Sequence, residues 1–259
     1  AIVDGKVISV GCDGFCRVVD LSSGDLLAKI LIYSYVGGSP AIADGIAYFG
    51  TFDNQVLAID LETGELLWKF DANPKDAVWE LGGSGTRNNI IATAVFRDGI
   101  VYIGVGQDPE HGEGPGHLWA IDGSQKGDVT GKTLWHFGGE DFNRTISTVA
   151  ISNGVLYVPD LSGFLYALDV ETGEHLWTHD TFAAVWGSAF VVGGNVYLGD
   201  EDGDVVILQA GREEKVVAEM NMGSAVYTTP TVTDGVLYIA TRSELFAIAS
   251  KQSDVGGGA

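Results

Sequence analysis

Six side chains in this sequence could grip a ligand: Trp79, Trp186, Tyr227, Tyr35, Arg87 and Arg144. The first three close the similar tripeptides Ala77-Val78-Trp79, Ala184-Val185-Trp186 and Ala225-Val226-Tyr227. Tyr35, Arg87 and Arg144 fall in comparable segments, and Arg144 aligns with Tyr35. Aromatic faces beside guanidinium groups suit a flat ligand or an anchoring peptide, and an anionic group would need the two arginines. The same rings packed between neighbouring elements would bind nothing, and residue type alone leaves both readings open.

Other chemistries are weaker. The stretch Gln107 to His117 holds two histidines, His111 and His117, with three acids, enough donors for a metal. No known ligand spacing is present, so a solvated loop is expected. Asp200-Glu201-Asp202-Gly203-Asp204 looks like a calcium loop but lacks the distal glutamate of an EF-hand, and it aligns with a hairpin turn. No metal is therefore expected. Cys12 and Cys16 flank Asp13-Gly14-Phe15: a three-residue loop would set the thiols face to face, a two-residue loop on opposite faces. No Gly-x-Ser-x-Gly nucleophile turn and no phosphate-cradling glycine loop before a helix can be read.

The elements that must position these residues follow from a repeat. The chain has 259 residues, 37 of them Gly, and 35 acids against 14 bases give a net charge of −21. That charge disfavours a nucleic-acid partner, which needs clustered Lys and Arg, and leaves cationic peptides open. No run of about 18 apolar residues exists, so no membrane span is expected. The glycines lie at fixed offsets. A small turn pair recurs at Asp4-Gly5, Asp44-Gly45, Asp98-Gly99, Asn153-Gly154, Gly193-Gly194 and Asp234-Gly235, marking six units. The second unit reads as four strands near 40–43, 46–51, 56–60 and 65–70. Four short strands about every 40 residues are the signature of propeller blades. The expected fold is all-β: a β-propeller of four-stranded antiparallel blades with six repeat units, or alternatively part of an eight-bladed ring. One domain over 1–250 is expected, with units near 1–34, 35–90, 91–143, 144–183, 184–224 and 225–250, and 251–259 as a flexible tail. The sixth unit stops after its third strand. Hydroxyls at Ser39, Thr93, Thr148, Ser188 and Thr229 recur at the entry to each inner strand, either as a polar ring around the axis or as partners of backbone groups at strand starts.

The third turn of three units carries Ala-x-Asp-x-x-Thr-Gly-x-x-x-Trp, once in stretched form. It is seen as Asp60, Gly64 and Trp68, as Asp169, Gly173 and Trp177, and in stretched form as Asp122 and Trp135. This motif resembles the PQQ-like β-propeller repeat, shared by quinoprotein alcohol dehydrogenases and BamB-like assembly proteins. The resemblance implies that each Trp wedges against the neighbouring blade. Ala28 and Val217 stand at that place in units 1 and 5, where packing should be weaker. For the catalytic branch it implies PQQ on the axis, between a Trp and a disulfide of adjacent cysteines, with a calcium ion and an Asp base. Adjacent cysteines are missing, and Asp76 near Trp79 is the one loop acid to test. The resemblance thus points to a non-catalytic scaffold, without cofactor, that presents loops on one face to a protein or small ligand outside the cytoplasm. The alternative is a PQQ-dependent alcohol or sugar dehydrogenase, or a fragment of one.

Overall fold

The structure is a computed structural model, described here for residues 1–73, 77–78, 87–109 and 114–249. Trp79, Asp76, His111 and the tail 251–259 lie outside the described residues. Among these residues there are strands and turns and no helix, so none is long and apolar enough to cross a membrane.

Six sheets follow one another along the chain. The first holds β1 (Ile2–Val3), β2 (Lys6–Val10), β3 (Phe15–Asp20) and β4 (Leu26–Leu31). The second holds β5 (Ala41–Ala43), β6 (Ile46–Gly50), β7 (Gln55–Asp60) and β8 (Leu66–Asp71). The third is built from β9 (Val95–Arg97), β10 (Ile100–Val105), β11 (Pro115–Asp122) and β13 (Trp135–Asn143), with β12 (Gly127–Asp128) looping out between the last two. The fourth has β14 (Ala150–Ser152), β15 (Val155–Pro159), β16 (Phe164–Asp169) and β17 (His175–Asp180). The fifth has β18 (Phe190–Val192), β19 (Asn195–Gly199), β20 (Asp204–Gln209) and β21 (Val216–Asn221). The sixth has three strands: β22 (Thr231–Thr233), β23 (Val236–Ala240) and β24 (Leu245–Ala249). Neighbouring strands within each blade are antiparallel.

Two turns explain why the sequence folds this way. At Asp44-Gly45 both φ angles are positive, 49° and 77°, as a two-residue hairpin matching strand twist requires. The same holds at the equivalent pair in all six units. At the third turn the Asp60 carboxylate accepts the N–H of Glu62 and Thr63 and the Thr63 hydroxyl. These bonds to the ionised form hold its pKa below the usual carboxylate value. Asp20 repeats the arrangement and is lowered to about 2, as is Asp169, where the Arg212 guanidinium lowers it most and the turn bonds add to it.

The core lies between blades. One cluster joins the second and third (Tyr48, Trp68, Phe70, Ile90, Ile103), another the third and fourth, and a third the fourth and fifth. Trp68 is 1% exposed, and its indole N–H donates to the Gly123 carbonyl of the next blade at 3.0 Å. Trp135 and Trp177 do the same to Val170 and Gly211, both at 3.0 Å. Gly173 makes room for this wedge, because a methyl there would lie 2.7 Å from the Trp135 ring. The tryptophan place in unit 5 needs correction. Ala218, not Val217, pairs across from Ile207 as Trp68 does from Ala58, and Val217 is exposed. The preceding turn is one residue longer, Gln209 bonding to Lys215 where Asp60 bonds to Glu65.

The long third unit does more than extend a turn. Its β12 leaves the blade and pairs in parallel with β8, so the second sheet has five strands. Val129, 1% exposed, donates its N–H to Lys69, and the Thr130 hydroxyl accepts the N–H of Asp71. The cysteines match neither loop expected for them. Four residues, 11–14, connect β2 to β3, and Val10 pairs across from Cys16. Cys12 is exposed, Cys16 is buried, and both are free thiols. Burial pushes the Cys16 thiol up to about 11, which keeps it protonated and unreactive.

Candidate functional site

The described candidate residues gather at one end of the blades, where the second hairpin turn of a blade meets the segment entering it. A common bond builds this end. Phe52 N–H donates to the Tyr35 carbonyl, Leu161 to Arg144, Glu201 to Ala184 and Arg242 to Ala225. Tyr35 and Arg144 therefore occupy equivalent places, as their alignment suggests. A buried side chain caps three of these turns: Thr51 accepts from Gln55, Asp160 from Phe164 and Asp200 from Asp204. The Asp200 carboxylate is spent on this cap, and burial raises its pKa. That use of Asp200 accounts for the acidic run as a turn.

The five aligned hydroxyls form a directional ladder. Ser39 N–H donates to Thr93 Oγ1, Thr93 to Thr148, Thr148 to Ser188 and Ser188 to Thr229, at 2.9–3.2 Å. They serve backbone groups, but those of the preceding blade rather than of their own strand. Four of the hydroxyls, Thr93, Thr148, Ser188 and Thr229, each clip one blade to the one before it.

Of the five described grip residues, the structure brings two into contact. Trp186 and Tyr227 meet edge to face, centroids 6.3 Å apart at 89°. Glu201, which sequence reading treated only as part of a turn, joins them: Trp186 Nε1 donates to one carboxylate oxygen and the Tyr227 hydroxyl to the other, each at 3.2 Å. Both rings stay exposed, at 36% and 40%. A carboxylate that fixes two rings while their surfaces face solvent makes a pre-organised aromatic platform with a negative centre. Tyr35 is exposed at the same end. Arg87 pairs with Asp53 at 3.2 Å on the second turn of its blade. Arg144 has its Nη1 buried without a hydrogen-bond partner. Trp79 lies outside the described residues. Its neighbour Val78 is 51% exposed, whereas Val185 and Val226 are fully buried. Ile90, also fully buried, contacts Gly50 much as Val226 contacts Gly199. Ala77-Val78 thus departs from the other two tripeptides in place as well as in surroundings.

The stretch before β11 also differs from expectation. His117 sits on β11 rather than in a loop, beside His136 of β13. Gln107 is buried and accepts the Gly114 N–H at 2.8 Å. Residues 110–113 lie outside the described residues. A PQQ–calcium centre does not fit the side chains present. The two thiols belong to the first blade, with three residues between them rather than none, and Cys16 faces its core. Among the described residues no group of three or more His, Cys, Asp or Glu side chains converges as metal donors do.

Blades of this pattern, with their Asp-turns and interblade tryptophans, define a β-propeller of the PQQ-like repeat class. The family model described as "Outer membrane protein assembly factor BamB" matches residues 1–113 and 121–255, and the chain belongs to that family. It is 24% identical over 208 residues to the outer membrane protein assembly factor BamB of Legionella pneumophila, covering 79% of this chain and 48% of that protein. It is 29% identical over 182 residues to a quinohemoprotein alcohol dehydrogenase of Comamonas testosteroni, covering 63% of this chain and 23% of the other. The solved structure of BamB from Moraxella catarrhalis superposes with a TM-score of 0.69 at 19% identity, over 95% of this chain and 67% of that one. The chain spans about half the length of the Legionella relative.

Proposed function

We propose that this chain is a non-catalytic binding scaffold that acts outside the cytoplasm in outer membrane protein assembly. Its loop-entry end holds a protein partner. The observation that carries this reading is the Glu201 clamp. It holds Trp186 and Tyr227 rigid and exposed, so a partner gains ring contacts without the cost of ordering them. A carboxylate between the rings and a net charge of −21 favour a basic or amide-rich segment over an anionic one. Tyr35, Arg87 and Arg144 extend the same end, and Trp79 belongs to the proposed surface on its sequence alone. Family membership supplies the assembly context.

The test is photocrosslinking in cells from a benzoylphenylalanine placed at Tyr227 or Tyr35, with Asp98 at a first hairpin turn as control. Adducts with an outer-membrane assembly component from the first two positions, and none from Asp98, are expected. Equal labelling from all three would refute the assignment of the surface. The quinoprotein reading rests on the dehydrogenase similarity. Added PQQ and Ca²⁺ should give no dye reduction with alcohols or sugars. Turnover that disappears on replacing Trp79 or Trp186 would overturn the scaffold.

A further inference from the structure

Away from the loop-entry end, two imidazoles converge on the third blade. His117 Nδ1 and His136 Nε2 stand 3.0 Å apart on neighbouring strands. Trp119 stacks on His136 with centroids 3.9 Å apart, and Phe70 meets Trp119 edge-on at 5.2 Å. The remaining nitrogen of His117, Nε2, is buried without a hydrogen-bond partner, as is Trp119 Nε1. Nothing in the fold requires this pair, since other blades manage without it.

Gly138 lets the strands bring a third polar atom close to both nitrogens. A methyl on Gly138 would lie 2.8 Å from His117 Nδ1, 2.9 Å from His136 Nε2 and 2.6 Å from the Gly116 carbonyl oxygen. Two nitrogens and an oxygen therefore converge within 3 Å of one point, and a side chain at 138 would collide with all three. Burial, with His136 nearby, lowers the pKa of His117 to about 4, and burial also lowers that of His136.

We propose that His117 and His136 chelate a divalent late first-row cation, with Cu²⁺ the preferred ion. Metal–nitrogen bonds of about 2.0 Å across a 3.0 Å bite give a nitrogen–metal–nitrogen angle of about 95°. That is near the 90° cis angle of tetragonal Cu²⁺ and short of the tetrahedral angle zinc prefers. The ring that donates the mutual hydrogen bond shifts its proton to its other nitrogen as the metal binds, so that hydrogen bond is given up, both facing nitrogens become ligands and no proton is lost. The Gly116 carbonyl and water complete the coordination. His117, the more enclosed ring, sets the position, and the indole over His136 shields one side.

The full chain titrated with Cu²⁺ tests this by tryptophan fluorescence and electron paramagnetic resonance. Saturable 1:1 binding at micromolar Cu²⁺ is expected, with two-nitrogen hyperfine structure and quenching of roughly a sixth of the emission, one indole of six. His136→Gln and His117→Gln should each weaken binding tenfold or more. Trp119→Phe should keep the resonance signal and lose the quenching. Zn²⁺ should compete weakly and Mg²⁺ not at all. His136 is exposed, so its variant should fold even if the His117 variant does not, and circular dichroism checks this. Binding that persists in folded His136→Gln, or vanishes instead with His175→Gln and His179→Gln, would overturn the assignment. So would the absence of binding to the folded wild type.

Discussion

Replacing Thr148 by valine probes the hydroxyl ladder at its centre. Valine keeps the branched shape and strand preference of threonine but removes the oxygen that accepts the Thr93 N–H at 3.2 Å. A net hydrogen bond is worth about 0.5–1.5 kcal/mol, and a fully buried orphan N–H would add about 1–3 kcal/mol. Both threonines are only partly buried, so water can reach the freed amide and the loss should stay near 1 kcal/mol. For a chain of this size that is a drop in Tm of about 2–4 °C. The ladder also has a direction. Amide exchange at Thr93, in the preceding blade, should quicken about fivefold, the rate equivalent of about 1 kcal/mol. The Thr148 amide, still donating to Ser188 at 2.9 Å, should not change. Thr148→Ser should restore both readouts. Faster exchange at Thr148 with Thr93 unchanged would refute the interblade assignment and return the hydroxyl to its own strand.

Trp68→Phe should cost about 2–3 kcal/mol in urea unfolding, since it leaves a void in a fully packed interface and the Gly123 carbonyl without its donor. Trp186→Phe should cost under about 0.5 kcal/mol, because that ring is exposed, yet should reduce crosslinking from Tyr227. Val129→Ala should cost about 1–3 kcal/mol and speed exchange of the Asp71 amide, since both depend on the docking of β12. Below neutral pH, stability should hold until the unfolded aspartates begin to titrate near 3.8, then fall as pH drops toward the folded values of about 2 at Asp20 and Asp169. The sign follows because the unfolded chain binds those protons first. Asp20→Asn and Asp169→Asn should flatten this fall in acid titrations followed by circular dichroism.

The blade pattern was legible because local chemistry dictates it. Asp-Gly pairs specify the first hairpin, and an Asp that can accept three nearby donors specifies the third turn. Trp68 and Trp177 were readable as wedges through the motif, though their acceptors, Gly123 and Gly211, belong to other units. What escaped depends on partners distant in sequence. Glu201 looks like any turn acid until the next blade brings Tyr227 to it. His117 reads as loop because glycine and proline precede it, and only its pairing with β13 makes it a strand residue. The Val217 placement failed through one extra turn residue, which shifts every side chain to the opposite face. Ala77-Val78 matched in letters while Ile90, with no such signature, packs against Gly50 as Val226 does against Gly199.

Docking β12 onto β8 also sets a clock. The second blade's outer edge pairs with residues made about sixty positions later, as the Asp71–Thr130 bond shows with a separation of 59. At synthesis rates of roughly 5–20 residues per second, that edge stands open for roughly 3–12 s after its own strands are complete. During that interval Leu66–Asp71 offers unpaired backbone to any passing strand. The nascent chain is therefore most exposed to mispairing or holdase capture between the emergence of its second blade and the arrival of Val129.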